Sequence, residues 1–192
     1  MSGNRDTYER LIEAASDCFA EKGFSASSIR DISRRAGISH GAMYTYFSGK
    51  EELIVAIVLE EQRLALRSYE QETNMANIDR IYDVFLSCVG RKPGYPANHN
   101  PLWLEIMAES SRNDELRKHF IESDVVMRKG IEIFLRRGMQ AGEFRPNLVT
   151  DEATMAIFAL LDGLMGRKAI NPDFHLEKDL PRFRDLLKGM LS

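Results

Sequence analysis

Apolar side chains recur along this chain with the period of a helix almost everywhere. Tyr8, Leu11, Ile12, Ala15 and Phe19 fall at i, i+3, i+4, i+7 and i+11, and Ile78, Ile81, Tyr82, Phe85, Leu86 and Val89 repeat the pattern. No two alternating apolar and polar runs are joined by a tight turn, so no strand is predicted. Start and stop signals divide the chain into about nine helices. The first spans 6–22 and ends at Gly23, a natural C′ residue. Ser27 or Ser28 caps a short second helix that stops at the Ala36-Gly37 turn. Ser39 caps a third, also short, with Ile38 and Met43 placed as a hydrophobic staple. Ser48 caps the fourth, and Glu51 completes a capping box.

From residue 49 the helices lengthen, with predicted spans 49–73, 77–91, 101–112, 114–141, 151–170 and 177–190. The breaks are KPGYPANHNP (92–101), AGEFRPN (141–147) and INPDF (170–174). The expected architecture is all-α: a three-helix helix-turn-helix domain at 1–48 and a larger helical domain at 49–192.

The segment SSIRDISRRAGISHGAMYTYF has the form of a helix-turn-helix. Ile29, Ile32 and Ala36 would face inward from its first helix, and Ile38, Met43 and Phe47 from its second. His40, Gly41, Tyr44, Thr45 and parts of Ala42 and Tyr46 are left outside. A small, polar outer face can enter a major groove only about 12 Å wide, where bulky charge would hold it off. Thr45 or Ala42 suits a thymine methyl, and His40 a base edge or a phosphate. The tyrosine hydroxyls and Lys50, at a helix N-terminus, suit phosphates; Arg30 suits a phosphate or a guanine edge. A lysine in the first turn opposes the helix dipole, which calls for a functional explanation.

Charge supports this placement. The whole chain carries −3, which by itself argues against a nucleic-acid partner. Residues 26–50, however, hold Arg30, Arg34, Arg35 and Lys50 against Asp31 alone, whereas beyond residue 50 acidic side chains outnumber basic ones by four.

Other classes receive little support. The two cysteines, Cys18 and Cys88, are 70 residues apart in helical patterns and read as buried thiols. His40, His99, His119 and His175 have no ligand spacing and form no Glu-x-x-His pair, so neither a metal, a cofactor nor an enzyme site is expected. The longest apolar runs, 53–59 and 155–161, are far below the ~18 residues of a membrane span. The N-terminus MSGNRDTYERLIEAA offers no signal-peptide core, which predicts a cytoplasmic location.

The run EKGFSASSIRDISRRAGISHGAMYTYFSGKEEL, Glu21 to Leu53, resembles the N-terminal signature of TetR/AcrR-family transcriptional regulators. The likeness lies in the G-F after the first helix, S-I-R-D-I, A-G-I-S, Y-x-Y-F and K-E-E-L. An L-L-D-G-L stretch near the end resembles the family as well. The resemblance implies a recognition helix at 39–46 with Tyr44 and Lys50 as backbone clamps. The candidate DNA contacts are then Ser28, Arg30, Ser39, His40, Gly41, Ala42, Tyr44, Thr45, Tyr46 and Lys50, on double-stranded operator DNA. Three positions depart from the common pattern: His40 where Lys is frequent, Ala42 where Thr is frequent, and Ser33 where a small apolar residue packs. The first two bear on operator choice; Ser33 is small enough to fit.

One reader contacts one half-site, so a homodimer is expected. ATMAIFALLDGLMG (153–166) is apolar on nearly every face, with Ala156, Ala159, Gly163 and Gly166 as a small-residue stripe. Leu180, Phe183, Leu187, Met190 and Leu191 give the last helix a matching face, so the last two helices of two copies could form a four-helix interface. Both faces could instead be buried within one subunit. The resemblance further implies a small-molecule effector held among the middle helices. Its candidate contacts are Tyr82, Phe85, Trp103, Met107, Met127 and Phe134, although any one such residue is more often core than ligand wall. Glu105 and Glu109, one turn apart, read as a solvated face or, alternatively, as facing a cationic or hydroxylated ligand. The expected function is a ligand-responsive repressor that releases its operator when the effector binds.

Overall fold

The computed structural model describes residues 2–70, 73–88, 99–171, 173–174 and 176–192. Within them lie nine helices and no strand: α1 (Ser2–Lys22), α2 (Ile29–Arg35), α3 (His40–Met43), α4 (Lys50–Glu70), α5 (Asn77–Cys88), α6 (His99–Arg112), α7 (Asp114–Gln140), α8 (Thr150–Ile170) and α9 (Leu176–Leu191). The all-α expectation and the helix order hold. Residues 71–72 and 89–91, toward which the fourth and fifth helices were expected to run, lie outside the described residues. So do residues 92–98 of the KPGYPANHNP break, Pro172, His175 and the side chains of Cys88 and His99. Among the described residues no helix is long and apolar enough to cross a membrane.

The chain forms two compact units. The first comprises residues 1–63 and 101–123, so it reaches well beyond the helix-turn-helix segment. The reason is its core: Leu11, Ala15, Phe19, Ile32, Met43 and Phe47 share one buried cluster with Leu53, Ile54 and Ile57 of α4, Leu102 and Ile106 of α6, and Leu116 of α7. Ile32, Ala36, Met43 and Phe47 are buried as the period requires, and Ile29 and Ile38 pack half-buried against them. Ser33 also fits, because its buried hydroxyl donates to the Ile29 carbonyl at 2.8 Å. The turn between α2 and α3 depends on Gly37, whose φ of +68° lies where a side chain would be strained.

The second unit comprises residues 64–100 and 124–192. Its buried side chains include Ile81, Phe85, Ile131, Phe134, Leu135, Ile157, Leu161, Leu180 and Leu187. Glu143 caps α5 from a distance, accepting the Asn77 N–H at 2.8 Å and the Asn77 side-chain amide at 2.9 Å. Arg184 of α9 donates to Asp79 of α5 at 2.8 Å, tying those helices together.

Candidate nucleic-acid interface

The local sequence builds the reader cap by cap. Ser28, not Ser27, caps α2: its hydroxyl accepts the Asp31 N–H at 3.1 Å and donates to the Asp31 carboxylate at 2.8 Å. Ser27 is buried, donating to the carbonyls of Cys18 (2.9 Å) and Gly23 (2.8 Å). Ser39 caps α3 by accepting the Ala42 N–H at 3.1 Å. The α3 helix itself is shorter than the predicted 39–46. After Met43 the chain continues as a turn, with the Tyr46 and Phe47 N–H groups donating to the Met43 carbonyl at 2.9 and 3.1 Å. The capping box at the start of α4 also differs. Glu52, not Glu51, reaches back, accepting the Ser48 N–H at 2.6 Å and hydroxyl at 2.8 Å, and these bonds hold its carboxyl below the usual range.

The outward face then sorts the candidate residues. His40, Gly41, Tyr44 and Thr45 are exposed, Ala42 is half-exposed, and Met43 and Phe47 point into the core. Tyr44 is 53% exposed and meets the His40 ring edge-on, with centroids 5.3 Å apart, so the two rings hold each other at the helix surface. Tyr46 is half-buried against the core, with less free surface than its neighbour. A Cβ added at Gly41 would meet nothing within 4 Å, and its φ is not in the left-handed region. Neither packing nor backbone geometry therefore asks for glycine there. Glycine costs a helix up to about 1 kcal/mol relative to alanine, so the fold alone would favour alanine at this position.

The charge reading needs correction. Arg34 pairs with Asp31 at 2.5 Å, and Arg35 with Glu21 at 2.7 Å and Asp17 at 3.0 Å. α1 brings Asp17 and Glu21 alongside Arg35, and Lys22 to within 3.7 Å of Asp31, so residues 26–50 are not an isolated block of charge. The Arg35 guanidinium beside Glu21 keeps that carboxyl below its ordinary value, and the Ser28 hydroxyl does the same for Asp31. Arg30 is exposed and makes no ion pair among the described residues, so it remains the outward cation of α2. Lys50 is half-buried: its Nζ donates to the Phe24 carbonyl at 2.7 Å, approaches that of Ser25 at 3.4 Å, and lies 4.5 Å from the Phe24 ring centre. Its ammonium thereby fixes the α1–α2 loop. That loop contact explains a lysine in the first turn of α4 without reference to DNA, and the charge count could not have found it.

The candidate effector contacts are divided between the two units. Tyr82, Phe85, Met127 and Phe134 belong to the second unit, Trp103 and Met107 to the first. Phe85 and Phe134 are fully buried; Tyr82, Met127, Trp103 and Met107 are half-buried, Trp103 against Phe120. Sequence reasoning missed Arg80, a buried guanidinium 4.2 Å from the Phe134 ring that donates to the Ser68 and Tyr69 carbonyls. It is buried beside Ile81 on the apolar side of α5. Glu105 and Glu109 do not share one open face. Glu105 accepts the Phe24 N–H at 2.8 Å, and Glu109 pairs with Arg112 of its own helix.

On α8 one face is buried, through Ala153, Thr154, Ile157, Phe158, Leu161, Leu164 and Met165. The other exposes Met155, Ala159 and Gly163, with Ala156 and Gly166 at its margins, and a Cβ at Gly163 would meet nothing. The α9 face expected to pair with a second copy is used internally instead. Leu180, Leu187 and Leu191 are buried and Phe183 and Met190 half-buried, because α9 packs against α5; Leu186 and Gly189 are what it leaves exposed.

Residues 11–57 match the model of bacterial regulatory proteins of the tetR family, and residues 79–191 match that of the C-terminal part of BetI-type transcriptional repressors. The chain is similar to the transcriptional regulator UidR of Escherichia coli K12, at 28% identity over 160 residues, covering 83% of this chain and 80% of UidR. Among solved structures it is similar to Salmonella enterica GusR, with 26% identity, a TM-score of 0.78, and coverage of 96% of this chain and 95% of GusR. Its fold also matches Bacillus subtilis FadR in complex with stearoyl-CoA, at 22% identity and a TM-score of 0.76, covering 95% and 96% of the two chains. With the capped helix-turn-helix, the outward face of α3 and both halves matched, the chain belongs to the TetR family of transcriptional regulators.

Proposed function

We propose that this protein is a ligand-responsive repressor that binds operator DNA as a homodimer and releases it when a small molecule binds the C-terminal part. Its activity is binding in the cytoplasm, not catalysis. The observation that carries the reading is the face of α3: a glycine the fold does not require, set among Ala42 and Thr45 and flanked by exposed Tyr44. Such a face enters the major groove closely. His40, Ala42 and Thr45 meet base edges; Ser39, Tyr44, Tyr46 and one N–H of Lys50 hold phosphates; Ser28 and Arg30 approach from α2. Residues 1–48 read DNA, and residues 49–192 serve the effector and the pairing of subunits.

The exposed α8 stripe with Leu186 and Gly189 of α9 is the proposed pairing surface, since small residues let two backbones approach and the stripe is left uncovered among the described residues. Of the effector candidates, half-buried Tyr82 and Met127 are the more accessible in the second unit. Phe85 and Phe134 would meet a ligand only if their core opened. FadR, similar in fold, was solved with stearoyl-CoA, which supports small-molecule control without naming the ligand here.

α4 contributes residues 50–63 to the first unit and 64–70 to the second, so one continuous helix belongs to both. An effector that favours one pose of α4 shifts the population away from the DNA-binding form; a tenfold loss of affinity needs only about 1.4 kcal/mol of differential binding. The test is titration of labelled DNA from upstream of the protein's own gene at several salt concentrations. Tight, salt-dependent binding is expected. No salt-dependent binding to any such DNA would remove the proposal.

A further inference from the structure

Phe24, between α1 and α2, has its peptide held from two other helices. Its N–H donates to the Glu105 carboxylate of α6 at 2.8 Å, and its carbonyl accepts from Lys50 of α4 at 2.7 Å. The ring is buried, tilted against Phe19 with centroids 5.3 Å apart and capped by the Lys50 ammonium. Gly23 makes room for this approach: its φ is +80°, and a Cβ there would lie 3.3 Å from Glu105 Oε2. Four residues later the chain reaches Ser28, the cap of α2, and then Arg30. The backbone between is already committed, because Ser27 bonds to Cys18 and Gly23. The Ser27 N–H donates to the Phe24 carbonyl at 3.3 Å, so a displacement of Phe24 is felt one residue before the cap of α2. It also moves the carbonyl that orients Lys50.

We infer that Glu105 is a positioning residue for DNA recognition, acting through the Phe24 peptide on both the α2 N-terminus and Lys50; the inference rests on the DNA-binding reading above. A carboxylate accepting a backbone N–H forms a strong, charge-assisted bond, and removing it leaves a partly buried donor unpaired. The sign of the effect separates positioning from charge. On charge alone, deleting an acidic group from a DNA-binding unit tightens binding. Loss of positioning weakens it.

The experiment compares wild type, Glu105→Ala and Glu105→Gln by fluorescence anisotropy on upstream DNA across a salt series, with amide hydrogen exchange on the same proteins. Glu105→Ala is expected to bind about tenfold more weakly. Its slope of log K against log salt falls by no more than the value of about one expected for losing the Lys50 contact, because Glu105 itself neutralises no phosphate. Glu105→Gln, whose amide oxygen can still accept the Phe24 N–H, restores most of the affinity. Exchange at residues 23–28 accelerates in Glu105→Ala while α8 keeps its protection. Wild-type or tighter binding by Glu105→Ala, a Gln variant as weak as the Ala variant, or unchanged exchange at 23–28 would each overturn the inference while leaving wild-type DNA binding intact. Absence of binding by the wild type would instead remove the DNA-binding reading, and the inference with it.

Discussion

Replacing Gly41 by alanine should move stability and DNA affinity in opposite directions. In the free protein the added methyl meets no atom within 4 Å, and the backbone is not in a conformation that favours glycine. The substitution therefore removes a helix-propensity penalty of up to about 1 kcal/mol. Gly41 lies in the first turn after the Ser39 cap, where the full interior value is not realised, so a gain of about 0.5 kcal/mol is reasonable. For a chain of this size that raises Tm by about 1–2 °C. Against DNA the methyl would lie on the face proposed to enter the groove. Forcing an extra carbon into a close-packed contact costs about 1–3 kcal/mol, a loss of roughly 5- to 150-fold in affinity. Gly41→Leu should lose more. Thermal unfolding and anisotropy titration on upstream DNA measure the two effects on one sample. If both variants bound as tightly as wild type while stability rose, α3 would not be entering a groove by this face.

Lys50→Ala should weaken binding to all DNA sequences alike and reduce the salt slope by about one, while loosening the 23–28 loop to hydrogen exchange; an unchanged slope would leave Lys50 a purely structural contact to Phe24 and Ser25. Gly130→Ala should destabilise the second unit by about 1–3 kcal/mol, because its Cβ would overlap the Tyr69 ring, as read by denaturant unfolding. Glu21, Asp31 and Glu52 all have carboxyls held below their ordinary values. Their contribution is thus fully present above the unfolded-state values of about 4–4.5 and lost as pH falls below them. The single tryptophan, Trp103, lies in the first unit, so its fluorescence should report acid destabilisation of that unit beginning below about pH 4.5. Gly163→Glu should leave the monomer fold intact, since nothing occupies that space, and should abolish self-association in sedimentation velocity.

The helices were legible because the 3.6-residue period, the serine caps and the glycine stops agree locally at nearly every boundary. Ser39, Ile32, Met43 and Phe47 occupy the positions the pattern assigns them. What the sequence could not carry was any contact made across long separation. Arg35 counted as surplus charge because Asp17 and Glu21 become its neighbours only when α1 packs beside α2. Glu105 looked solvated because its partner lies 81 residues away. Arg80 was overlooked because a charged side chain on an apolar helix face registers as an interruption of the pattern, although its guanidinium is satisfied by carbonyls and stacked on Phe134. The α9 face is the converse case. Leu180, Leu187 and Leu191 have a clean period, but period alone does not say whether the partner is another helix of the same chain or a second copy.

The central claim, that residues 40–45 of this chain read operator bases as a paired unit, is tested most directly by selecting bound duplexes from a random-sequence pool with wild type, His40→Ala and Thr45→Ala. The wild type should recover an inverted repeat whose half-sites are one helical turn, about 34–36 Å, apart or a multiple of it. Each variant should keep that spacing while changing base preference at one symmetric pair of positions. Recovery of no repeated site, or of the same base preference from all three proteins, would contradict the account.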